Sequence, residues 1–306
     1  MQKVVVSGGA GFIGSHVAQH YGNKGYKVVV IDNLRSGKIA NLEVINNLQF
    51  INQSITNKDE VFKAVEGADY IFNFAALVSV PESIEKPYEC VNINVNGILN
   101  LLEAAKTHKV KKVVHISSAA VYGDDPELPK RVTMKPAPKT PYSITKLDGE
   151  YYCNMYSEQF GLKTTTLRFF NVFGERQDPK SQYAAAVPIF IEKALKNEDI
   201  TIFGDGLQTR DFIYVKDIVQ ACSLAAESPL PTGLFNVAYG RTITILEIAE
   251  LIIKLTGSQS KINFAPQRSG DIKHSYAYVQ ETFDILKFNP NWDLIKGLEA
   301  TINYFK

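Results

Sequence analysis

"KVVVSGGAGFIGSHVAQHYGNKGYKVVVID", residues 3–32, places two β-branched runs around a stretch of helical period, with a glycine cluster at the first junction. Strand, turn, helix near 12–24 and second strand follow from that pattern. Gly8, Gly11 and Gly14 keep the spacing Gly-x-x-Gly-x-x-Gly. Without Cβ atoms such a backbone turns tightly and approaches a pyrophosphate, whose charge the helix N-terminus favours. Glycines alone are weak evidence, since a plain structural turn uses them too. Asp32 adds to them, because it ends the second strand 18 residues beyond Gly14, the spacing of a carboxylate that holds an adenosine ribose. A carboxylate there repels a ribose 2′-phosphate, so NAD is expected over its phosphorylated form. Arg35 and Lys38 in the next loop temper that preference or simply face water.

The same rhythm continues outward. Short apolar runs at 48–52, 69–74, 111–118 and 163–170 alternate with helical periods near 58–66, 83–107 and 142–160. Repeated strand and helix imply a doubly wound, mostly parallel α/β sheet of Rossmann-like type, covered on both faces, with ligands beyond the carboxyl ends of its strands. After residue 170 the pattern loosens: "ERQDPKSQYAAAVP" has loop chemistry, followed by helical periods near 185–196, 215–227, 244–256 and 294–305. The expected division is a dinucleotide-binding domain over 1–170, to which about 211–237 returns, and a smaller α/β substrate domain over 171–306. No Gly, Ser or Pro linker parts them, so a shared interface with a cleft is expected.

Composition closes off several classes. The 306 residues are 45% hydrophobic and 21% charged, and Lys+Arg 33 against Asp+Glu 32 leaves a net charge of +1. That gives no basic stripe for nucleic acid and no reason for an anionic membrane partner. Cys90, Cys153 and Cys222 form no Cys-x-x-Cys pair, which fits a reduced chain. The opening apolar run is too brief for a signal peptide or membrane span, so the cytoplasm is expected. His16 and His20 sit four apart on a helical period but lack a third ligand, so no metal is expected.

A second constellation lies in "TPYSITKLDGEYY", 140–152. Tyr142 and Lys146, four apart, share one helix face. An ammonium beside a phenol favours the phenolate and draws its pKa from ~10 toward neutrality, which suits a general base. The plainer explanation is a lysine lying along an aromatic ring. Ser117 and Ser118 end the strand 111–118 at the carboxyl edge, where a hydroxyl can hold or relay a substrate proton, or merely cap a turn.

These features belong to a longer ordered set: "GGAGFIG" (8–14), "NFAA" (73–76), "NVNG" (94–97), "SSAAVYG" (117–123), "YSITK" (142–146), "RFFNVFG" (168–174), "GDGLQTRDFIYVKD" (204–217) and "RSGD" (268–271). With them the chain resembles the extended short-chain dehydrogenase/reductases over nearly its whole length. The resemblance implies Tyr142 as base, Lys146 holding the nicotinamide ribose and tuning the phenol, Ser118 bonding the reacting hydroxyl, and Asn94 supporting the site. It extends the cofactor contacts to Phe12 and Ile13 in the loop, to Asn33, Ser36 and Gly37 after Asp32, and to Ala75 and Ala76. Where relatives often carry Gly-Asp-Ile beside the adenine, this chain reads Gln53-Ser54-Ile55, so Ser54 and Ile55 are expected there without the charge.

The family contains epimerases, dehydratases, decarboxylases and reductases. Dehydratases and decarboxylases carry acidic residues after the active serine, whereas this chain has Ala119 and Ala120. Reversible oxidation at carbon 4 of a UDP-sugar, with the hydride returned to the opposite face, is therefore the implied reaction. Asn171, Arg210 and Arg268 fall where the family contacts diphosphate or nucleotide ribose, although an arginine in "TRDF" can also pair with Asp211 or Asp217. Ser275 falls at a wall position where serine, unlike tyrosine, leaves room for an N-acetyl group. "ALVSVPESI" (76–84) and "RQDPKSQYAAAVP" (176–188) also resemble the branch acting on UDP-N-acetylglucosamine and UDP-N-acetylgalactosamine. That resemblance sets Ser79 near the 2-substituent and Tyr183 to Val187, Ala186 included, along the uridine. The alternatives are a UDP-glucose or UDP-uronic acid 4-epimerase, a reductase that exchanges its cofactor, and a non-catalytic nucleotide-sugar sensor, against which the complete Ser118, Tyr142 and Lys146 set speaks. Helical segments 83–107 and 142–160 imply a homodimer through a four-helix bundle.

Overall fold

The computed structural model describes residues 1–180, 185–230, 232–267 and 273–306. The β-branched runs form β1 (Lys3–Ser7), β2 (Lys27–Ile31), β3 (Leu48–Ile51), β4 (Tyr70–Asn73), β5 (Lys112–Ser118) and β6 (Thr164–Phe169), and Thr232–Val237 completes a parallel sheet. The spatial order is Thr232–Val237, β6, β5, β4, β1, β2, β3. From β1 the chain steps outward to β3, then returns to β4 on the other side of β1. That reversal opens a crevice between the carboxyl ends of β1 and β4, which lie level, since Ser7 pairs with both Ile31 and Asn73.

Both faces of the sheet are buried, as a parallel sheet requires. Val4 and Val6 pack with Val17, Tyr21, Ile218 and Cys222, while Val5 turns to the opposite core with Val61, Leu101, Leu102 and Tyr156. The first core is covered by α1 (Phe12–Asn23) and the helix Val215–Glu227. The second lies under α2 (Lys58–Val65) and two later helices.

The stretch expected as one helix over 83–107 is broken. It runs as α3 (Val80–Glu85), α4 (Pro87–Val91), a π-helical turn Asn92–Asn96, and α5 (Gly97–Thr107). Pro87 is the cause: its ring carries no N–H and forces the preceding residue out of helical geometry, and Lys86 takes φ −129° and ψ 60°. Next, α6 (Pro141–Phe160) starts where the sequence sets its signals. Thr140 and Ser143 form a reciprocal capping box, Pro141 occupies the first turn, and Gly161 ends the helix at φ 67°.

The second half builds a smaller module. Strand Asn171–Phe173 pairs with Phe212–Tyr214, Ile200–Phe203 with Ile262–Ala265, and Thr209–Arg210 with Ile243–Thr244. Helices Ala186–Leu195, Ile245–Thr256 and Leu294–Phe305 enclose its core around Ile200, Ile202, Ile248 and Leu298. Phe12 and Ile13, at the start of α1, pack against this core, so the module sits over the glycine loop. Among the described residues no helix is long and apolar enough to cross a membrane.

Beneath the ends of β5 and β6 lies a buried ion pair. Arg168, 1% exposed, donates from Nε and Nη2 to the two oxygens of Glu150 at 2.8 and 2.6 Å, and Ser117 Oγ donates to the same carboxylate at 2.5 Å. Removing one partner strands the other charge out of water. Glu150→Ala is expected to lower unfolding free energy by roughly 3–5 kcal/mol, and Glu150→Leu with Arg168→Met to recover most of that loss. Urea unfolding of both variants measures this, and a single variant as stable as the wild type refutes it.

Candidate active site

The crevice opens into a cavity of about 1080 Å³ that reaches from Asp32 across the glycine loop to Tyr142 and Lys146. Its floor depends on missing side chains. Gly8 has φ +69°, and a Cβ there would come 2.6 Å from the Ala75 amide nitrogen, while one at Gly14 would come 2.3 Å from the Gly8 carbonyl oxygen. Gly11 precedes α1 with no side-chain cap, so the first-turn amides of the helix have no acceptor within it. With Phe12, Ile13 and Gly14 lining the cavity, those donors form an anion cradle. Asp32 accepts hydrogen bonds from the amides of Ala10 at 3.0 Å and Leu34 at 2.8 Å. Burial raises its pKa, although those two amides work against the rise. Asn33, Ser36, Gly37, Ser54, Ile55, Ala75 and Ala76 also line the cavity. A pyrophosphate cradle, a ribose carboxylate and a long cavity at the reversal point fit a dinucleotide.

Opposite the cradle, α6 presents Tyr142 and Lys146. The Tyr142 amide donates to Ser83 Oγ at 3.2 Å, which ties the start of α6 to α3. Lys146 Nζ donates to the Ile116 carbonyl at 2.7 Å and lies 5.9 Å from the Tyr142 ring centre. Ser118 reaches the phenol by a hydrogen bond, and its Oγ accepts from the Ala120 amide at 3.2 Å. The three expected catalytic residues therefore converge. Their charges differ from the expectation. Burial pushes the Tyr142 phenol up, with Ser118 pulling it partly back, and burial pushes Lys146 down to about 8. Desolvation outweighs the neighbouring ammonium here, because both groups sit deep in protein.

Other expected residues take different places. Asn94 does not line the cavity. Its Oδ1 accepts from the Leu77 amide at 2.7 Å, and its Nδ2 donates to the Leu77 carbonyl at 3.1 Å and to Thr145 Oγ1 at 2.9 Å. The π-helical turn aims it inward, where it braces α6 from behind the cavity. Ser117 borders the cavity, but its hydroxyl is committed to Glu150. Ser79 lines the cavity and caps α3, accepting from the Glu82 amide at 3.1 Å.

On the substrate side Asn171 lines the cavity, whereas Arg210 and Ser275 do not. They are its neighbours: the Asn171 amide donates to the Asp211 carbonyl at 3.2 Å, and the Ser275 amide donates to the Thr209 carbonyl at 3.1 Å. Arg210 Nη1 donates to the Thr209 carbonyl at 2.9 Å. The buried carboxylate of Asp211 accepts from the amides of Tyr239 and Gly240, and that of Asp217 from those of Asn291 and Trp292. Ala186 and Val187 turn into the core of the second module, because their apolar side chains pack there; Ala185 borders the cavity instead. Tyr183 and Arg268 lie outside the described residues.

Sequence reasoning missed Arg176, Gln177, Asp178 and Glu82, all on the cavity wall. Arg176 reaches back to α1, donating to Ser15 Oγ at 3.1 Å and Gln19 Oε1 at 2.5 Å. Its segment, 176–188, stands out in the sequence only for its resemblance along the uridine side, which assigns no role to a residue before Tyr183. His16 Nε2 meets the Glu175 carbonyl at 3.0 Å, and burial, helped by Arg176, lowers its pKa to about 4. Among the described residues no cluster of His, Cys, Asp or Glu is arranged to hold a metal.

Comparison with known proteins agrees with this geometry. Residues 4–238 match the profile of the NAD dependent epimerase/dehydratase family. A putative UDP-glucose 4-epimerase of Methanocaldococcus jannaschii is 34% identical over 305 residues, covering 99% of this chain and 98% of its own. The structure of UDP-N-acetylglucosamine 4-epimerase from Methanobrevibacter ruminantium, in complex with UDP-N-acetylmuramic acid, is 41% identical with a TM-score of 0.96, over 99% of this chain and 98% of that one. UDP-glucose 4-epimerase from Thermotoga maritima, with UDP-glucose, is 37% identical with a TM-score of 0.95 over the same shares. The chain belongs to the NAD dependent epimerase/dehydratase family, and NAD is its cofactor.

Proposed function

We propose that this protein inverts carbon 4 of UDP-N-acetylhexosamines, interconverting UDP-N-acetylglucosamine and UDP-N-acetylgalactosamine. The observation that carries the reading is the convergence of Ser118, Tyr142 and Lys146 on a cavity wall across from the dinucleotide cradle, with alanine at 119 and 120 where an elimination needs an acid. The likeness to a UDP-N-acetylglucosamine 4-epimerase supports an N-acetylated substrate. A second reading, UDP-glucose and UDP-galactose, rests on the similarly close Thermotoga maritima relative.

NAD held along Gly8, Gly11, Gly14 and Asp32 would supply a hydride acceptor for carbon 4 of the sugar and the donor for its return. The protein supplies the rest. Tyr142 accepts the proton of the 4-hydroxyl as the carbonyl forms and returns it in the reverse step, with Ser118 holding the same oxygen. Lys146, still cationic at neutral pH, favours the phenolate, and the charge of a bound nicotinamide would add to that pull, against the burial that raises the phenol. Asn94 fixes the pitch of α6. Asn171, Arg210 and Arg268 hold the UDP end while the 4-keto sugar turns over between the two hydride steps, with arginine's fork matched to phosphate.

The homodimer would form through α5 and α6, where Ile144 and Tyr151 are 46% and 60% exposed beside Val91 at 45%. Light scattering should give twice the chain mass for the wild type and a shift toward monomer for Tyr151→Glu; a wild-type monomer at all concentrations rules this out.

Incubating the purified protein with UDP-N-acetylglucosamine, without added reductant, should yield UDP-N-acetylgalactosamine by NMR. Tyr142→Phe should bind the sugar nucleotide yet convert it about 10²–10⁴-fold more slowly. Conversion of UDP-glucose alone selects the second reading, and no conversion of any UDP-sugar, or full activity in the variant, sinks the mechanism. Lys146 also gives a pH signature in nucleotide-free protein. Its charge weighs on the fold below pH of about 8, and the folded chain sheds that proton before the unfolded chain does at its ordinary 10.5, so stability rises with pH across that window. Relative to Lys146→Met, the wild-type unfolding midpoint should gain as pH climbs through this range; parallel curves contradict it.

A further inference from the structure

Arg35 and Lys38 left a contradiction in the reading of Asp32, since cations on this loop would welcome the ribose 2′-phosphate that the carboxylate repels. The structure shows what those cations do. Arg35 Nη2 bonds Glu82 Oε1 at 2.7 Å, Arg35 Nη1 bonds Glu89, and Lys38 Nζ pairs with Asp178 Oδ2 at 3.0 Å. Arg35, Lys38, Glu82 and Asp178 line the same cavity as Asp32. The carboxylates come from α3, from α4 and from the loop after strand Asn171–Phe173, so the loop is engaged from two sides.

We propose that Glu82 and Glu89 are specificity-determining residues: by occupying the Arg35 guanidinium they deny it to a 2′-phosphate and enforce NAD over NADP. Asp32 repels the phosphate directly, and these two glutamates remove the group that could hold it in spite of that repulsion. A free guanidinium grips phosphate with two parallel hydrogen bonds. Seated between two carboxylates, it offers an incoming phosphate little unshared charge and exposes it to two like charges. Arg35 holds both carboxylates below their ordinary pKa values, so all three groups stay charged at neutral pH. Glu82 also meets Lys86 at 3.4 Å, a half-exposed pair. Because the Arg35 pairs are about one-third exposed, they add little to stability, and replacing them leaves the fold intact. The inference rests on the NAD site described above and adds the residues that exclude its phosphorylated form.

The test uses the full chain as wild type, as Glu82→Gln/Glu89→Gln, and as the same pair with Arg35→Gln. Dissociation constants for NAD⁺ and NADP⁺ are read from nucleotide retained on gel filtration and from shifts in the unfolding midpoint. The NADP⁺ to NAD⁺ ratio of dissociation constants should fall about tenfold in the double variant and return to the wild-type value when Arg35 is also removed, as expected when a charge-assisted fork is freed and then deleted. An unchanged ratio, including an equal weakening of both nucleotides, overturns the proposal, because the pairs would then only hold the loop. So does a fall that persists without Arg35. If the double variant aggregates, Glu89→Gln alone must move the ratio the same way by a smaller factor, and failure to do so also overturns it. A wild-type chain that retains neither nucleotide is a different result, which sinks the NAD site itself.

Discussion

The close approach of two strand ends, possible because Gly8 has no side chain, is the constraint on which this architecture depends. A Cβ would press against the Ala75 amide at the end of β4, and the positive φ is one that other residues reach only at a cost. Removing that contact would part the carboxyl ends of β1 and β4, where the sheet order reverses. The cradle, the Asp32 carboxylate and the reactive face of α6 all take their positions from this seam. Asp32 is bonded to the Ala10 amide, so its carboxylate and the glycine loop are one hydrogen-bonded unit.

A second glycine sets the distance of α6 from the sheet. Gly149 lies against His115 of β5, and a Cβ would come 2.3 Å from Nε2. His115 belongs to a buried chain of polar groups under the crevice: Ser7 Oγ meets Asn73 Oδ1 at 2.7 Å, and Asn73 Nδ2 meets His115 Nδ1 at 3.1 Å. Full burial, with Lys146 nearby, drives His115 well below its ordinary pKa, so the imidazole is neutral and adds no charge beside the lysine. Uncharged links join three strand ends and leave the ammonium of Lys146 as the positive group facing Tyr142.

What the sequence disclosed follows the range of each interaction. The glycine loop, Asp32, and the Tyr142 and Lys146 pair are local patterns whose spacing carries their geometry. The capping box at Thr140 is likewise written within four residues. The inward aim of Asn94 was hidden, because a π-helical turn alters which side of a helix a residue faces, and periodicity does not show that. The break at Pro87 had its signal in the chain, but the apolar period on either side of it masked the interruption. Arg176 and Asp178 were invisible for a different reason: their partners, Ser15, Gln19 and Lys38, lie some 140 to 161 residues away, and nothing in a loop of polar residues announces such contacts. The direction of the Tyr142 shift was misread because pair spacing reports a neighbouring charge and is silent about how much water reaches it.

Those distant contacts explain how two modules act as one site. Phe12 and Ile13 are packed against the core of the second module, Arg176 grips the same helix through Ser15 and Gln19, and Tyr214 and Lys216 both engage Glu175 beside it. Helix α1 is therefore clasped by the module that carries Asn171 and Arg210. A displacement of the substrate strands must carry the phosphate cradle with it or break buried packing, and interiors packed at crystal density resist such partial shifts. An inversion that delivers hydrogen to either face of a turning sugar needs this coupling: the sugar has to move while the two sites that hold its nucleotide and its redox partner stay fixed.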